Sequence, residues 1–129
     1  MPVLLDSHTL YWWSSDSSRL SATAARVVAR ADELLVASIS WFELARLAQK
    51  GKLLVPMPVR SWLESLSEGV RTIAATPAIA ATAAELPATF PGDPADRLIY
   101  ATAIELGCVL VTKDERMRAH RHSRRVTVW

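Results

Sequence analysis

Cysteine, glycine and long apolar runs are scarce in this sequence, and each shortage excludes a class of protein. The 129-residue chain has one cysteine, so it holds no internal disulfide and no cysteine-based zinc site. Its four glycines are dispersed and form no glycine-rich phosphate loop. No run approaches the roughly 20 apolar residues of a membrane span, and no secretory signal opens the chain. We therefore expect a cytoplasmic protein with no membrane partner.

Apolar residues, in contrast, are plentiful. They make up 50% of the chain, which is enough for the core of one compact domain, expected here to span residues 1–129. The lone cysteine, Cys108, lies in an apolar run without an activating histidine nearby in sequence. We interpret it as a small buried hydrophobe and not as a catalytic thiol.

Short apolar runs alternate with segments of helical periodicity along the whole chain. The runs predict strands at 2–5, 34–37, 71–74, 108–112 and 126–128. Helices are predicted over 19–32, 40–50, 59–68 and 93–106, with others beginning near 76 and 114. This alternation predicts an α/β fold with a central parallel sheet flanked by helices on both faces.

Two acidic residues follow predicted strands. Asp6 ends the first apolar run, and Asp114 comes two residues after the run 108–112. Ligands of parallel sheets bind beyond the carboxyl ends of the strands, so both residues belong to the edge where chemistry is expected. Each has an alternative role as the N-cap of a following helix.

Two more acidic residues begin helices. Glu43 follows Ser40 by three residues, which fits a capping box, but its neighbours are apolar, and the two interpretations stay open. In the segment Asp93-Pro94-Ala95-Asp96, one acid suffices as the N-cap. We assign the cap to Asp93 and the functional role to Asp96, since Asp96 is in line with apolar helix positions.

Together, these four carboxylates predict a cation site. Crowded carboxylates repel one another unless a cation binds, and oxygen-only ligands suit Mg²⁺ or Mn²⁺. The three histidines form no zinc pattern, and no nucleophile elbow is present.

Basic residues cluster near the C-terminus. They are Lys113, Arg116, Arg118, Arg121, Arg124 and Arg125. Such a cluster either binds a polyanion or forms a solvated surface. Arg97 is a further basic residue, for which a structural ion pair is favoured over a phosphate contact. In the run Tyr11-Trp12-Trp13, three consecutive aromatic side chains cannot share one core, and we favour a protein interface over base stacking.

The sequence resembles the PIN-domain nucleases, and among them the VapC toxins of bacterial toxin–antitoxin pairs. The resemblance is carried by Leu4-Leu5-Asp6-Ser7-His8, by 37–44 around Glu43, by 93–103 around Asp96, and by Leu110-Val111-Thr112-Lys113-Asp114. Together these segments cover nearly the whole chain in the family's order.

The resemblance implies a ribonuclease that uses one or two Mg²⁺ or Mn²⁺ ions. Metal-binding roles would fall to Asp6, Glu43, Asp96 and Asp114, with Thr112 or Ser7 as supporting groups. It also implies a homodimer and an antitoxin that covers the site. Two alternatives remain: a receiver-like signalling domain, although no acid follows 34–37 or 71–74 as such a domain needs, and a binding module with an inactive site.

Overall fold

A parallel sheet of five short strands forms the centre of the molecule. The computed structural model describes all residues 1–129. The strands are β1 (Val3–Leu5), β2 (Leu34–Ala37), β3 (Arg71–Ile73), β4 (Val109–Val111) and β5 (Thr127–Val128). Their spatial order is β3-β2-β1-β4-β5, and every pairing is parallel. Each predicted strand is present, and the predicted fold class is confirmed.

Seven α-helices flank this sheet. They are α1 (Ser7–Ser15), α2 (Ala22–Arg30), α3 (Ile39–Gln49), α4 (Val59–Ser67), α5 (Pro77–Glu85), α6 (Pro94–Leu106) and α7 (Glu115–Ala119). The longest, α6, has 13 residues, and no helix combines the length and apolar character needed to cross a membrane.

Two hydrophobic layers lie on opposite faces of the sheet. On β1, Leu4 joins one layer of 15 buried residues, while Val3 and Leu5 join the other layer of 10. Successive side chains of a strand point to opposite faces, so a strand covered on both sides must be apolar throughout. This is why the strands read as continuous apolar runs in the sequence.

The strand register aligns the residues that follow the strands. Leu5 of β1 pairs with Val36 of β2 and with Val111 of β4. The chain segments that leave these three strands therefore begin side by side at the carboxyl edge of the sheet. Asp6 is the first residue of one of these segments.

One predicted helix, residues 19–32, is shorter in the structure. A 3₁₀ turn occupies Ser17–Arg19, and the hydroxyl of Ser21 accepts a hydrogen bond from the Ala24 amide. Ser21 is thus the N-cap, and α2 begins after it. The apolar periodicity alone extended the predicted helix across this cap.

Candidate active site

An acidic cleft of about 540 Å³ lies at the carboxyl edge of the sheet. Six carboxylates line it, from Asp6, Glu43, Asp93, Asp96, Asp114 and Glu115. The four acids singled out in the sequence are separated by up to 108 positions, and the fold brings all of them to this cleft. We call it the acidic cleft below.

Asp6 lies deepest and is only 8% exposed. It is the N-cap of α1, and its Oδ1 accepts a hydrogen bond of 2.8 Å from the Ser7 amide. Its Oδ2 accepts a second bond of 2.6 Å from the hydroxyl of Thr112. The two bonds fix the carboxylate plane without supplying a positive charge.

Thr112 connects two of the acids. The hydroxyl that donates to Asp6 also accepts a hydrogen bond of 3.1 Å from the Asp114 amide, and Thr112 is fully buried. Asp114 is the N-cap of α7, where its Oδ1 accepts from the amides of Arg116 and Met117. Thr112 thus sets the spacing between the segments that follow β1 and β4.

Glu43 does not form the capping box that its distance from Ser40 allows. Helix α3 begins at Ile39, before Ser40, and has no side-chain cap. The Glu43 carboxylate instead accepts a hydrogen bond from the hydroxyl of Ser7, on α1. The capping interpretation of Glu43 is therefore wrong, because its partner lies 36 residues away in the sequence.

Asp93 has two roles where the sequence suggests one. It is the N-cap of α6, as predicted, and its Oδ1 accepts from the amides of Ala95 and Asp96 at 2.7 and 3.4 Å. Its carboxylate is also part of the cluster, since oxygens of Glu43, Asp93 and Asp96 all lie within 4.8 Å of one another. The prediction gave Asp93 only the capping position, whereas the structure also places its carboxylate in the cluster. The signal that could have found it is its spacing, because residues three apart share a helix face.

Burial, and then mutual repulsion, raises the pKa values of three cleft carboxylates, those of Asp6, Glu43 and Asp96. Burial, and then the charges of the four neighbouring carboxylates, raise the pKa of Asp96 to about 7. Burial also raises the pKa of Asp6, against the lowering effect of its bonds to Thr112 and Ser7. Glu43 has a raised pKa chiefly for the same reason, although the Ser7 hydroxyl lowers it.

Protein cations do little to neutralise this charge. The closest is Arg116, whose Nη2 lies 4.0 Å from Asp96 Oδ2, and its side chain is 72% exposed. Lys113 also lines the cleft, but its ammonium lies over the ring of Trp12, 5.7 Å from the centroid. A cleft with six carboxylates, no sulfur ligand and one histidine, the exposed His8, fits a hard divalent cation such as Mg²⁺ or Mn²⁺.

Three cleft residues, Glu115, His8 and Trp12, were not predicted as site residues. His8 and Trp12 are both aromatic. Their rings lie 5.7 Å apart, one turn apart on α1. The three aromatic side chains of the run 11–13 contact different neighbours. Trp12 faces the cleft, Tyr11 packs edge-on against Trp62, and the Trp13 ring lies against Gly69, where an added Cβ would come within 3.1 Å.

The predicted basic residues also separate into groups. Lys113 and Arg116 adjoin the acidic cleft, whereas Arg118 lines a neighbouring cavity. Arg97 turns away from both, and its guanidinium donates to the carbonyls of Ala83, Leu86, Pro87 and Pro91 at 2.9–3.1 Å. The favoured ion pair of Arg97 is wrong, because its guanidinium bonds to backbone carbonyls and to no carboxylate. It fastens the 86–91 loop to α6.

The fold and the cleft define a class, a parallel α/β protein with a carboxylate-rich cleft at the carboxyl edge of its sheet. The PIN-domain family matches residues 3–122. The chain is 62% identical to Ribonuclease VapC22 of Mycobacterium tuberculosis (strain ATCC 25618 / H37Rv) over 127 residues, which is 98% of each chain. The chain therefore belongs to the PIN-domain family, in its VapC branch, and this replaces the receiver-like alternative.

Solved structures share the fold. A toxin–antitoxin complex from Klebsiella pneumoniae superposes with a TM-score of 0.69 at 18% identity, over 98% of this chain and 96% of that one. VapC20 of Mycobacterium tuberculosis, described as a sarcin–ricin loop cleaving toxin, gives 0.64 at 16% identity, over 91% and 93%. At such identities the likeness establishes the architecture alone.

Proposed function

We propose that this chain is the endoribonuclease toxin of a toxin–antitoxin pair and that it hydrolyses RNA phosphodiester bonds with the help of Mg²⁺ or Mn²⁺. The observation that carries the proposal is the set of six carboxylates that line one cleft, with only Lys113 and Arg116 as nearby basic side chains. The 62% identity to a ribonuclease over nearly the full chain supports the reaction class.

In this proposal the carboxylates divide the work of holding one or two cations. Asp6 and Asp96 would be the inner ligands, because Asp6 is the most buried acid and Asp96 is the acid whose pKa four neighbouring carboxylates raise. Glu43 and Asp114 would complete the set, and Asp93 would join through the oxygen that its cap leaves free. Ser7 and Thr112 would be supporting groups that hold Glu43 and Asp6 in position.

The side chains of the cleft and its mouth would hold the cation, orient the water and bind the RNA phosphates. A divalent cation supplies positive charge against the phosphate oxygens and lowers the pKa of water. The ionised carboxylates of Glu43 and Asp114 would help to orient this water toward the phosphate. Lys113 and Arg116 at the mouth, with Arg118 beyond them, would contact the RNA backbone.

The proposal includes protein partners. Among the structural relatives, the Klebsiella pneumoniae structure is a toxin–antitoxin complex, which supports a cognate antitoxin for this chain as well. A homodimer and a cytoplasmic location complete the proposed setting, in keeping with the VapC branch of the family.

The test is cleavage of total RNA by the purified protein with Mn²⁺. The proposal expects cleavage that stops with EDTA and in Asp6→Asn. Asp16→Asn is a matched control, since Asp16 also caps a helical turn but lies outside the cleft, and it should cleave like the wild type. Cleavage that survives EDTA or Asp6→Asn would contradict the metal mechanism, provided that the variant is folded by circular dichroism.

A further inference from the structure

A second cavity, about 680 Å³, lies on the other side of α7. It is enclosed by α7, the chain segment 120–127, Tyr100 and Trp129. Its charged side chains are Arg118, Arg121, Arg124 and Arg125, against the single acid Glu115. We call this cavity the basic pocket. Four of the six residues of the predicted basic cluster thus line one concave surface.

The arginines of the basic pocket differ in how they are held. Arg124 is half-buried and donates to the carbonyls of Ala103 and Cys108 at 2.8 and 3.0 Å, so it fastens the segment to the end of α6. Arg118 and Arg121 are exposed, and their guanidiniums take part in no ion pair or hydrogen bond within the chain. Arg125 is exposed as well, with one bond of 3.3 Å to the Thr127 carbonyl. Exposed guanidiniums on an anchored segment are available to bind an anion.

Aromatic packing makes the pocket wall rigid. The ring of His120 meets Phe90 and Tyr100 edge to face, with centroids 5.2 and 5.5 Å away. Phe90 and Tyr100 are both nearly fully buried in the core. The segment that carries Arg121 is therefore attached to the hydrophobic core at His120 and again at Arg124, and the charges are displayed at fixed places.

The basic pocket is continuous with the acidic cleft. Glu115 lines both cavities. Trp12 of the cleft packs against Trp129 of the pocket with ring centroids 5.9 Å apart. Helix α7, which separates them, has five residues and is therefore only about 7 Å long. A strand that lies in the cleft would reach the pocket within a very few nucleotides.

We propose that the basic pocket binds backbone phosphates of the RNA strand on one side of the bond that is cut in the cleft. The inference rests on the proposed function, because it takes the cleft as the cleavage site. Guanidiniums pair well with phosphates in a bidentate geometry, and such contacts give affinity without reading the bases. The continuity with the cleft favours a nucleic-acid strand over an acidic protein. The pocket thus raises affinity for strands long enough to span both cavities.

The experiment measures binding of two fluorescent oligoribonucleotides, about 2 and about 16 nucleotides long, by anisotropy at several salt concentrations, since the shorter one is too short to span both cavities. The Asp6→Asn background with Mn²⁺ present keeps the strands intact. The test variant adds Arg121→Gln and Arg125→Gln. The matched control adds Arg26→Gln and Arg30→Gln, which remove the same charge from exposed positions of α2 that line neither cavity.

The pocket variant should bind the longer RNA roughly tenfold more weakly, and its slope of log K against log salt should fall by about 0.7 for each phosphate that the two arginines no longer bind. Binding of the short RNA, and both RNAs with the control variant, should stay unchanged. An equal decrease of affinity in the control variant, or an unaltered salt slope, would overturn the inference. RNA cleavage by the chain with Asp6 intact is measured in parallel. Cleavage by that chain, together with unchanged RNA binding by the pocket variant, would contradict the inference about the pocket without contradicting the proposed function.

Discussion

The acidic cleft and the basic pocket lie on either side of α7, and they are built in opposite ways. The cleft acids are wholly or half buried except Asp93 and Glu115, and Asp6, Asp93 and Asp114 are fixed by helix caps. In the pocket, Arg118, Arg121 and Arg125 are exposed at the ends of long side chains. The acidic cleft fixes its carboxylates close together, where they repel one another. The basic pocket carries its guanidiniums on long exposed side chains, where they are free to move apart.

This difference follows from the chemistry proposed for each region. Cation ligands must lie within a few tenths of an ångström of fixed positions, which needs burial, caps and supporting hydroxyls. An RNA backbone is flexible and carries a negative charge at every nucleotide. Contacts with it therefore need long, positively charged side chains more than they need exact placement. Substitutions should therefore have steep effects in the cleft and shallow effects in the pocket.

The steepest effect is expected from Asp96→Asn. Losing an inner ligand should lower the rate of RNA cleavage by about a hundredfold or more, since several kcal/mol of charge stabilisation depend on the cation. The same change removes one of the repelling carboxylates, so the metal-free protein should melt at a higher temperature than the wild type at pH 8. Cleavage kinetics and thermal unfolding in EDTA measure the two effects. A variant with reduced activity and reduced stability would indicate a structural role instead.

A smaller loss, roughly 10- to 100-fold in cation affinity or activity, is expected from Thr112→Val. Valine keeps the shape but removes the bonds to Asp6 Oδ2 and the Asp114 amide. Thr82→Val is the control, because Thr82 also donates one side-chain bond, to Glu105, but far from the cleft. Cation titration followed by calorimetry compares them. Equal effects of the two variants would show that Thr112 does not support cation binding.

The raised pKa values predict opposite pH trends for cation binding and for metal-free stability. Asp96 has a folded pKa of about 7, so cation affinity should fall about tenfold per pH unit below 7 and level off above it. The unfolded chain loses this proton near pH 4, so metal-free stability should decrease from about pH 4 to 7 and then level off. Asp6 and Glu43 act in the same direction. Melting curves in EDTA at pH 5 and 8 measure this, and higher stability at pH 8 would contradict it.

The smallest effect on RNA is expected at Arg97, a basic residue that belongs to neither region. Arg97→Lys should leave RNA affinity within about twofold of wild type but lower the free energy of unfolding by about 1–3 kcal/mol, because an ammonium cannot replace a guanidinium that bonds four carbonyls. Urea unfolding and RNA binding distinguish the two. A large loss of RNA affinity in a stable variant would return Arg97 to the binding surface.

Local patterns in the sequence predict most of the fold and much of the acidic cleft. The continuous apolar runs predict the five strands because the sheet is covered on both faces. The position of Asp6 after β1, and of Asp114 after β4, predicts their meeting because parallel strands end at one edge. The N-cap role of Asp93 follows from the proline after it.

Contacts between distant segments could not be read in the same way. Nothing near Glu43 in the sequence indicates that Ser7 is its partner, and the local capping box was the misleading signal. The carbonyls around Arg97 come from α5 and the following loop, 6 to 14 residues away. The concave shape of the basic pocket depends on His120 packing against Phe90 and Tyr100, which only the folded core brings together.

The most direct test of the account is a calorimetric titration of the full chain with Mn²⁺ at pH 8, beside Asp6→Asn and the capping control Asp16→Asn. We expect one or two Mn²⁺ ions bound by the wild type and by Asp16→Asn, and affinity at least about tenfold weaker in Asp6→Asn. A repeat of the titration at pH 7 should show release of protons on binding. Absence of binding to the wild type, or equal binding by a folded Asp6→Asn, would contradict the claim that the acidic cleft is a cation site.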